Sequence, residues 1–169
     1  MFRKLLLVCL SLMLVSGAFS AAEEMPSSAP FFAATLDDLK DKPMAMESVR
    51  GKPILVNFWA RWCGPCREEI PELVDVHAKH KANGLVVVGV AVEENTASVQ
   101  EFATAYKMDY LVLMGKDKSL DLMRALGNNR GFLPFTIAID SSGKVVAKKM
   151  GVLTTDDLDG MLKSTGATR

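Results

Sequence analysis

The sequence predicts an α/β domain in which helices flank a mixed central sheet. Two segments, residues 54–60 and 85–92, are apolar at nearly every position, which is typical of strands covered on both faces of a sheet. Residues 63–80 between them have a helical pattern, so the three segments form a βαβ unit. The chain then closes with two strand-like runs around the turn at residues 141–143, which adds antiparallel strands to the sheet.

The first 22 residues have the features of a secretory signal peptide. Arg3 and Lys4 precede an apolar run at 5–15, and small residues follow it. Because a membrane-spanning helix needs roughly 20 apolar residues, cleavage is favoured and an uncleaved membrane anchor is the alternative. Cys9 lies inside this segment and is expected to leave with it.

Residues 23–30 predict a flexible tether, and residues 31–169 predict one domain. A hairpin is predicted from strands at 32–36 and 44–46 around the turn signal Asp41-Lys42-Pro43. Further along, the periodicity predicts a helix at 96–107 with Asn95 as its cap, a strand at 110–113 and a helix at 119–126. Strands at 135–140 and 144–150 follow, and a last helix begins near Thr154 or Thr155.

The charge of the sequence excludes nucleic-acid binding, and its few candidate ligands make a metal site unexpected. The chain has 20 basic and 20 acidic residues and no block of lysine or arginine, so it lacks the electrostatic footprint of a nucleic-acid-binding protein. Apart from the cysteines, His77 and His80, three residues apart, and the pair Met44 and Met46 are the hints of a metal ligand set. A solvated helix face and core packing explain these pairs more simply, so we expect neither a metal nor a cofactor.

The chemistry of the sequence lies in Trp62-Cys63-Gly64-Pro65-Cys66, where the first central strand gives way to its helix. Three residues of spacing place the two sulfurs within disulfide reach, with Cα atoms ~5–6 Å apart. Cys63 at the helix start is expected to ionise more readily than a free thiol, and Cys66 to act as the resolving thiol. The alternatives are a static disulfide and half of a zinc site, the latter without a second ligand pair.

The segment around these cysteines resembles a known family. Residues 57–71 (NFWARWCGPCREEIP), 89–94 (GVAVEE), 133–134 (LP) and 139–144 (IDSSGK) are similar to the exported thioredoxin-like thiol:disulfide oxidoreductases of the TlpA/ResA/DsbE type. The likeness runs from residue 31 to residue 163. It implies a thioredoxin fold with an N-terminal hairpin and an extra β/α insert within residues 85–126.

The resemblance also implies the roles of residues around the pair. It places the family's active-site glutamate at Glu69, which we expect to exchange a proton with Cys66; a solvated surface carboxylate is the alternative. Asn57 stands where thioredoxins carry a buried aspartate. The residues implied to contact substrate are Trp62, Gly64, Pro65, Leu133 and Pro134.

Two questions close to the site have two possible answers each: the isomer of the Leu133–Pro134 bond, and the role of the arginines that flank the cysteines. Base rates alone favour a trans Leu133–Pro134 bond, whereas the resemblance implies a cis bond that presents the main chain of Leu133 to an extended substrate. Arg61 and Arg67 flank the cysteines and either lower the pKa of Cys63 further or are plain surface residues.

The function that the resemblance implies is that of a periplasmic thiol reductase. It would act on disulfides of cysteine-containing client proteins, with apocytochrome c during haem attachment as the leading class. A membrane thiol-electron transporter would recharge it, and a monomer is the simplest expectation. A periplasmic oxidant or isomerase and a copper-site assembly partner are the alternatives.

Overall fold

The computed structural model describes residues 24–167 of the chain. The predicted signal peptide and Cys9 lie outside this range. In the described part of the chain, no helix has both the length and the apolar character that a bilayer crossing requires.

Residues 24–167 form seven strands and five α-helices, joined by loops and three short 3₁₀ turns. The strands are β1 (Thr35–Asp38), β2 (Pro43–Ala45), β3 (Ile54–Trp59), β4 (Val86–Ala91), β5 (Leu111–Met114), β6 (Phe135–Ile139) and β7 (Val145–Met150). The helices are α1 (Ala29–Ala33), α2 (Gly64–His80), α3 (Thr96–Ala105), α4 (Ser119–Ala125) and α5 (Thr155–Thr165).

The strands form one sheet in the order β2-β1-β5-β4-β3-β6-β7. The three central strands β5, β4 and β3 run parallel, and the strands outside them pair antiparallel. The predicted α/β class with a mixed sheet is therefore confirmed. In the register, Asn57 lies opposite Gly89 on one side and Thr136 on the other, which places it at the centre of the sheet.

Two apolar clusters cover the two faces of the sheet, which explains why β3 is buried along its whole length. On one face Leu55 and Trp59 pack with residues of α2, α3 and α5. On the other face Val56 and Phe58 pack with residues of α1 and α4. A strand that alternates between two cores has no polar face, and this is the physical basis of its continuous apolar pattern.

The N-terminal boundary differs from the expectation. The strand predicted at 32–36 is wrong over its first part, because residues Ala29–Ala33 form α1, with Pro30 in its first turn. The end of the segment predicted as a tether is also packed: Ser28 is buried, and its hydroxyl donates a hydrogen bond to the carbonyl oxygen of Gly143. Phe31 and Phe32 bury their rings, and this burial supplies the driving force for the helix.

The antiparallel pairing of the hairpin and the later elements agree with the sequence-based expectations, although the first strand of the hairpin begins at Thr35. β1 and β2 pair antiparallel, and the Asp38 carboxylate accepts hydrogen bonds from the main-chain N–H groups of Lys40 and Lys42 in their turn. Asn95 caps α3, as predicted. Thr154 caps α5 in a reciprocal capping box with Asp157.

Candidate active site

The cysteine pair lies at the end of β3, where the chain turns into α2. Cys63 is the N-cap of the helix, and its Sγ accepts a hydrogen bond from the main-chain N–H of Cys66 at 3.2 Å. The two sulfurs form a disulfide, with Cα atoms 5.3 Å apart, as the spacing predicts. Cys63 is 6% exposed and Cys66 is fully buried. Cys63 is therefore the sulfur that an incoming molecule can reach first.

A buried carboxylate lies one turn of α2 beyond Cys66. Glu69 is 1% exposed, so the alternative of a solvated surface carboxylate is wrong. The side-chain amide of Asn57 donates to its Oε1 at 2.7 Å, and the main-chain N–H of Leu153 donates to its Oε2 at 2.8 Å. The Asn57 amide also donates to the hydroxyl of Thr136 at 2.9 Å. The carboxyl group is thus held from β3 and from the loop between β7 and α5.

The environment of Glu69 changes its acidity. Burial raises the pKa of Glu69 from its ordinary 4.5 to about 7, although the hydrogen bonds from Leu153 and Asn57 oppose this shift. The nearby charge of Glu72 raises the pKa slightly further. A carboxyl group with a pKa near neutrality can both accept and return a proton at physiological pH, which an unperturbed glutamate does poorly.

The loop before Cys63 is fastened to the end of β4 by an ion pair. Glu93, whose side chain is largely buried, accepts hydrogen bonds from the main-chain N–H of Arg61 at 2.5 Å and from its Nε at 2.9 Å. The charge of Arg61 is therefore compensated by Glu93. This argues against Arg61 as a free cation beside Cys63, one of the two expectations for it.

The ion pair between Arg61 and Glu93 predicts a loss of stability when the Glu93 carboxylate is replaced by an amide. Glu93→Gln leaves at most one acceptor oxygen for two donors, so the free energy of unfolding should fall by about 1–3 kcal/mol. Glu94→Gln is the matched control, because Glu94 is exposed and should cost less than ~0.5 kcal/mol. Urea unfolding of both variants measures the difference. Equal stability of the two variants would show that the ion pair contributes nothing to the free energy of unfolding.

The loop before β6 lies at the same edge of the sheet as Cys63, because the start of β6 pairs with the end of β3. The Leu133–Pro134 bond is cis, as the resemblance implies and against the base rate. The buried side chain of Asn128 binds both polar main-chain groups of Phe132, and the carbonyl of Pro134 accepts from Gly151 at 2.9 Å. Within residues 24–167, the main-chain N–H and carbonyl of Leu133 make no hydrogen bond.

The remaining residues predicted at the site surround Cys63 at the surface. Trp62 is 70% exposed, Pro65 is exposed and Gly64 is half-buried. The structure thus brings Trp62, Gly64 and Pro65 together around the reachable sulfur, and it places Leu133 and Pro134 at the same edge of the sheet.

The candidate metal ligands lie on separate elements, with His77 and His80 on α2 and Met44 and Met46 in and directly after β2. Met46 is buried in the cluster that includes Phe31, as core packing predicts. In residues 24–167, no three His, Cys, Asp or Glu side chains converge closely enough to hold a metal ion.

Three contributors to the site were missed by sequence reasoning, namely Glu93, Asn128 and the main chain of Leu153. Only Glu93 had a usable signal. It follows the end of β4, and parallel strands end at the same edge, so an acidic residue there should lie near the loop that follows β3.

Comparison with known proteins agrees with this geometry. The family model described as Redoxin matches residues 21–163. The thiol-disulfide oxidoreductase ResA of Bacillus thuringiensis (strain Al Hakam) is 32% identical, over 96% of this chain and 94% of its own length. ResA of Bacillus subtilis (strain 168) is 30% identical, over 89% of this chain and 82% of its own length.

A solved structure of similar fold points the same way. It is a thiol:disulfide interchange protein of the thioredoxin family from Chlorobium tepidum TLS, with a TM-score of 0.69 and 31% identity. The match covers 85% of this chain and 97% of that protein. The expected thioredoxin fold is thereby confirmed. With a reachable sulfur at the start of α2 and this likeness over nearly its whole length, the chain belongs to the redoxin family and is a thiol-disulfide oxidoreductase that acts on cysteine-containing substrates.

Proposed function

We propose that the protein is an exported thiol reductase that transfers two electrons from Cys63 and Cys66 to a disulfide of a client protein. The Cys63 thiolate attacks one client sulfur, and the other client sulfur leaves as a thiolate that takes up a proton. Cys66 then attacks Cys63 Sγ, which releases the second client thiol and leaves the Cys63–Cys66 disulfide. The client is reduced and the protein is oxidised by the same two electrons.

The observation that carries this proposal is the different exposure of the two sulfurs. Cys63 reaches the surface at the N-cap of α2, where unpaired main-chain N–H groups and the helix dipole favour a thiolate. Cys66 is fully buried one turn inside the helix and can be reached only by a sulfur already bonded to Cys63. This asymmetry supports a nucleophile and a resolving thiol in fixed roles.

Glu69 supplies the proton acceptor that the second step needs. Cys66 must lose its proton before it attacks Cys63, and its side chain is fully buried. Glu69 is on the same helix, three residues beyond Cys66, and its pKa of about 7 allows it to take the proton and later to return it. Asn57 and the main chain of Leu153 position the carboxyl group.

The client segment is held at the edge where Leu133 lies. The unpaired N–H and carbonyl of Leu133 can each form a hydrogen bond with an extended main chain, in the manner of an added β-strand. Trp62, Gly64 and Pro65 form the surface on which the client disulfide approaches Cys63, and Pro134 follows Leu133 at the same edge of the sheet.

The Glu69 carboxylate supports a low reduction potential and therefore the direction in which the protein reduces its client. A disulfide oxidoreductase becomes a strong oxidant when its reduced form is stabilised as a thiolate. Above about pH 7 Glu69 is ionised, and its negative charge one helical turn beyond Cys66 disfavours a thiolate on Cys66, which favours the disulfide form and therefore a low reduction potential.

The cellular setting follows from the N-terminal sequence. Residues 1–22 support export to the periplasm, where a reductant must be recharged by a membrane thiol-electron transporter. The client class implied by the family resemblance is apocytochrome c.

The reduction potential tests this proposal. Equilibration of the Cys63–Cys66 pair with glutathione or dithiothreitol buffers should give a value close to that of thioredoxin, about −270 mV. Glu69→Gln should raise the potential, because it removes a negative charge that opposes the thiolate. A wild-type value near that of DsbA, about −120 mV, would instead identify an oxidant.

A further inference from the structure

Large apolar side chains gather on the surface at the active-site end of the sheet. Trp62 is followed in exposure by Phe132 at 54%, Met150 at 49% and Leu120 at 46%. These are four of the five exposed large apolar residues in the described part of the chain. Scattered surface residues of this kind need no explanation, but a group beside a reactive site indicates a binding surface.

Phe132 and Met150 form the walls of one cleft. It has a volume of about 410 Å³, and its lining is completed by Gly127, Asn129 and Arg130. Met150 ends β7 opposite Phe135, the first residue of β6. The cleft therefore lies next to the segment of Leu133 and Pro134, because Phe132 directly precedes Leu133 in the chain and Met150 is opposite the first residue after Pro134.

The walls of the cleft are held in place before any client arrives. Asn128 is fully buried, and its side chain binds both the N–H and the carbonyl of Phe132, at 3.2 Å and 2.8 Å. Gly131 adopts a φ of +66° in this turn, and a Cβ there would lie 3.2 Å from Leu120. A fixed turn of this kind presents the Phe132 ring to solvent without a large ordering cost on binding.

The charge of the cleft has one sign. Among residues 24–167, Arg130 is the only charged residue in its lining, and none of these lining residues is a carboxylate. The Arg130 guanidinium lies 6.0 Å from the centroid of the Phe132 ring and makes no ion pair with any residue in the range 24–167. Other cations at this end are already paired, as Arg61 is with Glu93 and Lys149 is with Asp157.

We propose that this cleft selects clients whose cysteine is followed or preceded within a few residues by an apolar side chain and a carboxylate. The apolar side chain packs between Phe132 and Met150, and the carboxylate pairs with Arg130. The inference rests on the proposed function, since the client segment is the one that hydrogen-bonds Leu133 and offers its disulfide to Cys63. It adds a preference for an acidic, apolar client sequence.

Two synthetic peptides test the preference. Each carries one cysteine as a mixed disulfide with thiopyridine and a leucine near it; one has a glutamate beside the leucine and the other a lysine. Cys63 of the reduced protein attacks the peptide sulfur, and the departing thiopyridine is measured by its absorbance. Dithiodipyridine, which is uncharged and has no peptide, serves as the control substrate.

For the wild-type protein, the glutamate peptide should react about fivefold to tenfold faster than the lysine peptide at low salt, and the difference should shrink in high salt. Arg130→Glu should reverse the order of the two peptides. Combined Phe132→Ser and Met150→Ser substitutions should slow both peptides. All variants should react with dithiodipyridine at the wild-type rate, and a cooperative urea transition should show that they are folded.

The outcomes separate the inference from the proposed function. Equal rates for the two peptides, or an Arg130→Glu variant that keeps the wild-type order, would overturn the inference while the reductase activity stands. A wild-type protein that reacts with dithiodipyridine no faster than free cysteine at neutral pH would overturn the proposed function itself.

Discussion

Replacement of Cys63 by serine is expected to lower the rate of client reduction by about 10³-fold or more, because it removes the nucleophile that begins the exchange. Cys66 cannot substitute for it, since its sulfur is fully buried behind Cys63. The rate is measured from the reduction of a disulfide-bonded test protein by a fixed amount of reduced enzyme. Serine has nearly the same size as cysteine, so the substitution keeps the volume of the site and the fold should survive.

Replacement of Cys66 by serine should instead trap the mixed disulfide between the protein and its client. The first step remains possible, but the mixed disulfide between Cys63 and the client is no longer resolved. Mass spectrometry should find one client molecule attached to each protein molecule, and dithiothreitol should release it. The assignment of roles would be contradicted by an adduct on Cys66 in the Cys63→Ser variant, or by full turnover in the Cys66→Ser variant.

Glu69→Gln should remove a large pH dependence from the stability of the oxidised protein. Between pH 4.5 and pH 7 the unfolded chain has an ionised Glu69, whereas the folded protein still holds the proton because the pKa of Glu69 is raised to about 7. The stabilising contribution is therefore complete below pH 4.5 and is lost as the pH rises to 7. A shift from 4.5 to about 7 corresponds to about 3 kcal/mol in the free energy of unfolding.

Urea unfolding of the wild type and of Glu69→Gln at several pH values isolates this contribution. At low pH the variant should be less stable, because a glutamine has only one oxygen for the two donors from Asn57 and Leu153. The difference should close by about 3 kcal/mol as the pH rises to 7. Glu68→Gln is the matched control, since Glu68 is an exposed neighbour on α2 and its variant should follow the wild-type curve. Parallel curves for wild type and Glu69→Gln would show that Glu69 ionises normally.

The central part of the fold was accessible from the sequence because its signals are local. β3 is apolar at nearly every position, and the Cys63-to-Cys66 segment follows it at a strand-to-helix junction. The bounds of β3 and α2 therefore follow the pattern of burial and capping closely. The roles of Glu69 and Pro134 came from family resemblance instead, since three-residue spacing on a helix does not reveal that a carboxylate is buried.

The rest of the site depends on contacts between distant parts of the chain. Glu69 accepts a hydrogen bond from the main chain of Leu153, which lies 84 positions away. No side-chain pattern encodes such a main-chain donor. Asn128 similarly looks like an ordinary loop residue until its amide is seen to hold Phe132.

The N-terminal helix illustrates a different limit. The segment 25–30 has the composition of a linker, and a short apolar pair after it is compatible with a strand. Phe31 and Phe32 are buried in the apolar cluster that contains Val56 and Phe58, and this burial favours a helix at α1. The tertiary contact thus overrides the weak local preference for a strand.

The readiness of Cys63 to ionise is the claim on which the mechanism depends, and the pH dependence of its alkylation in the reduced protein measures it most directly. Iodoacetamide modification, followed site by site with mass spectrometry, gives the rate for Cys63 separately from Cys66. The inflection for Cys63 should lie clearly below the ~8.5 of a free thiol, because the sulfur sits at the N-cap of α2. An inflection at or above that value would contradict the account.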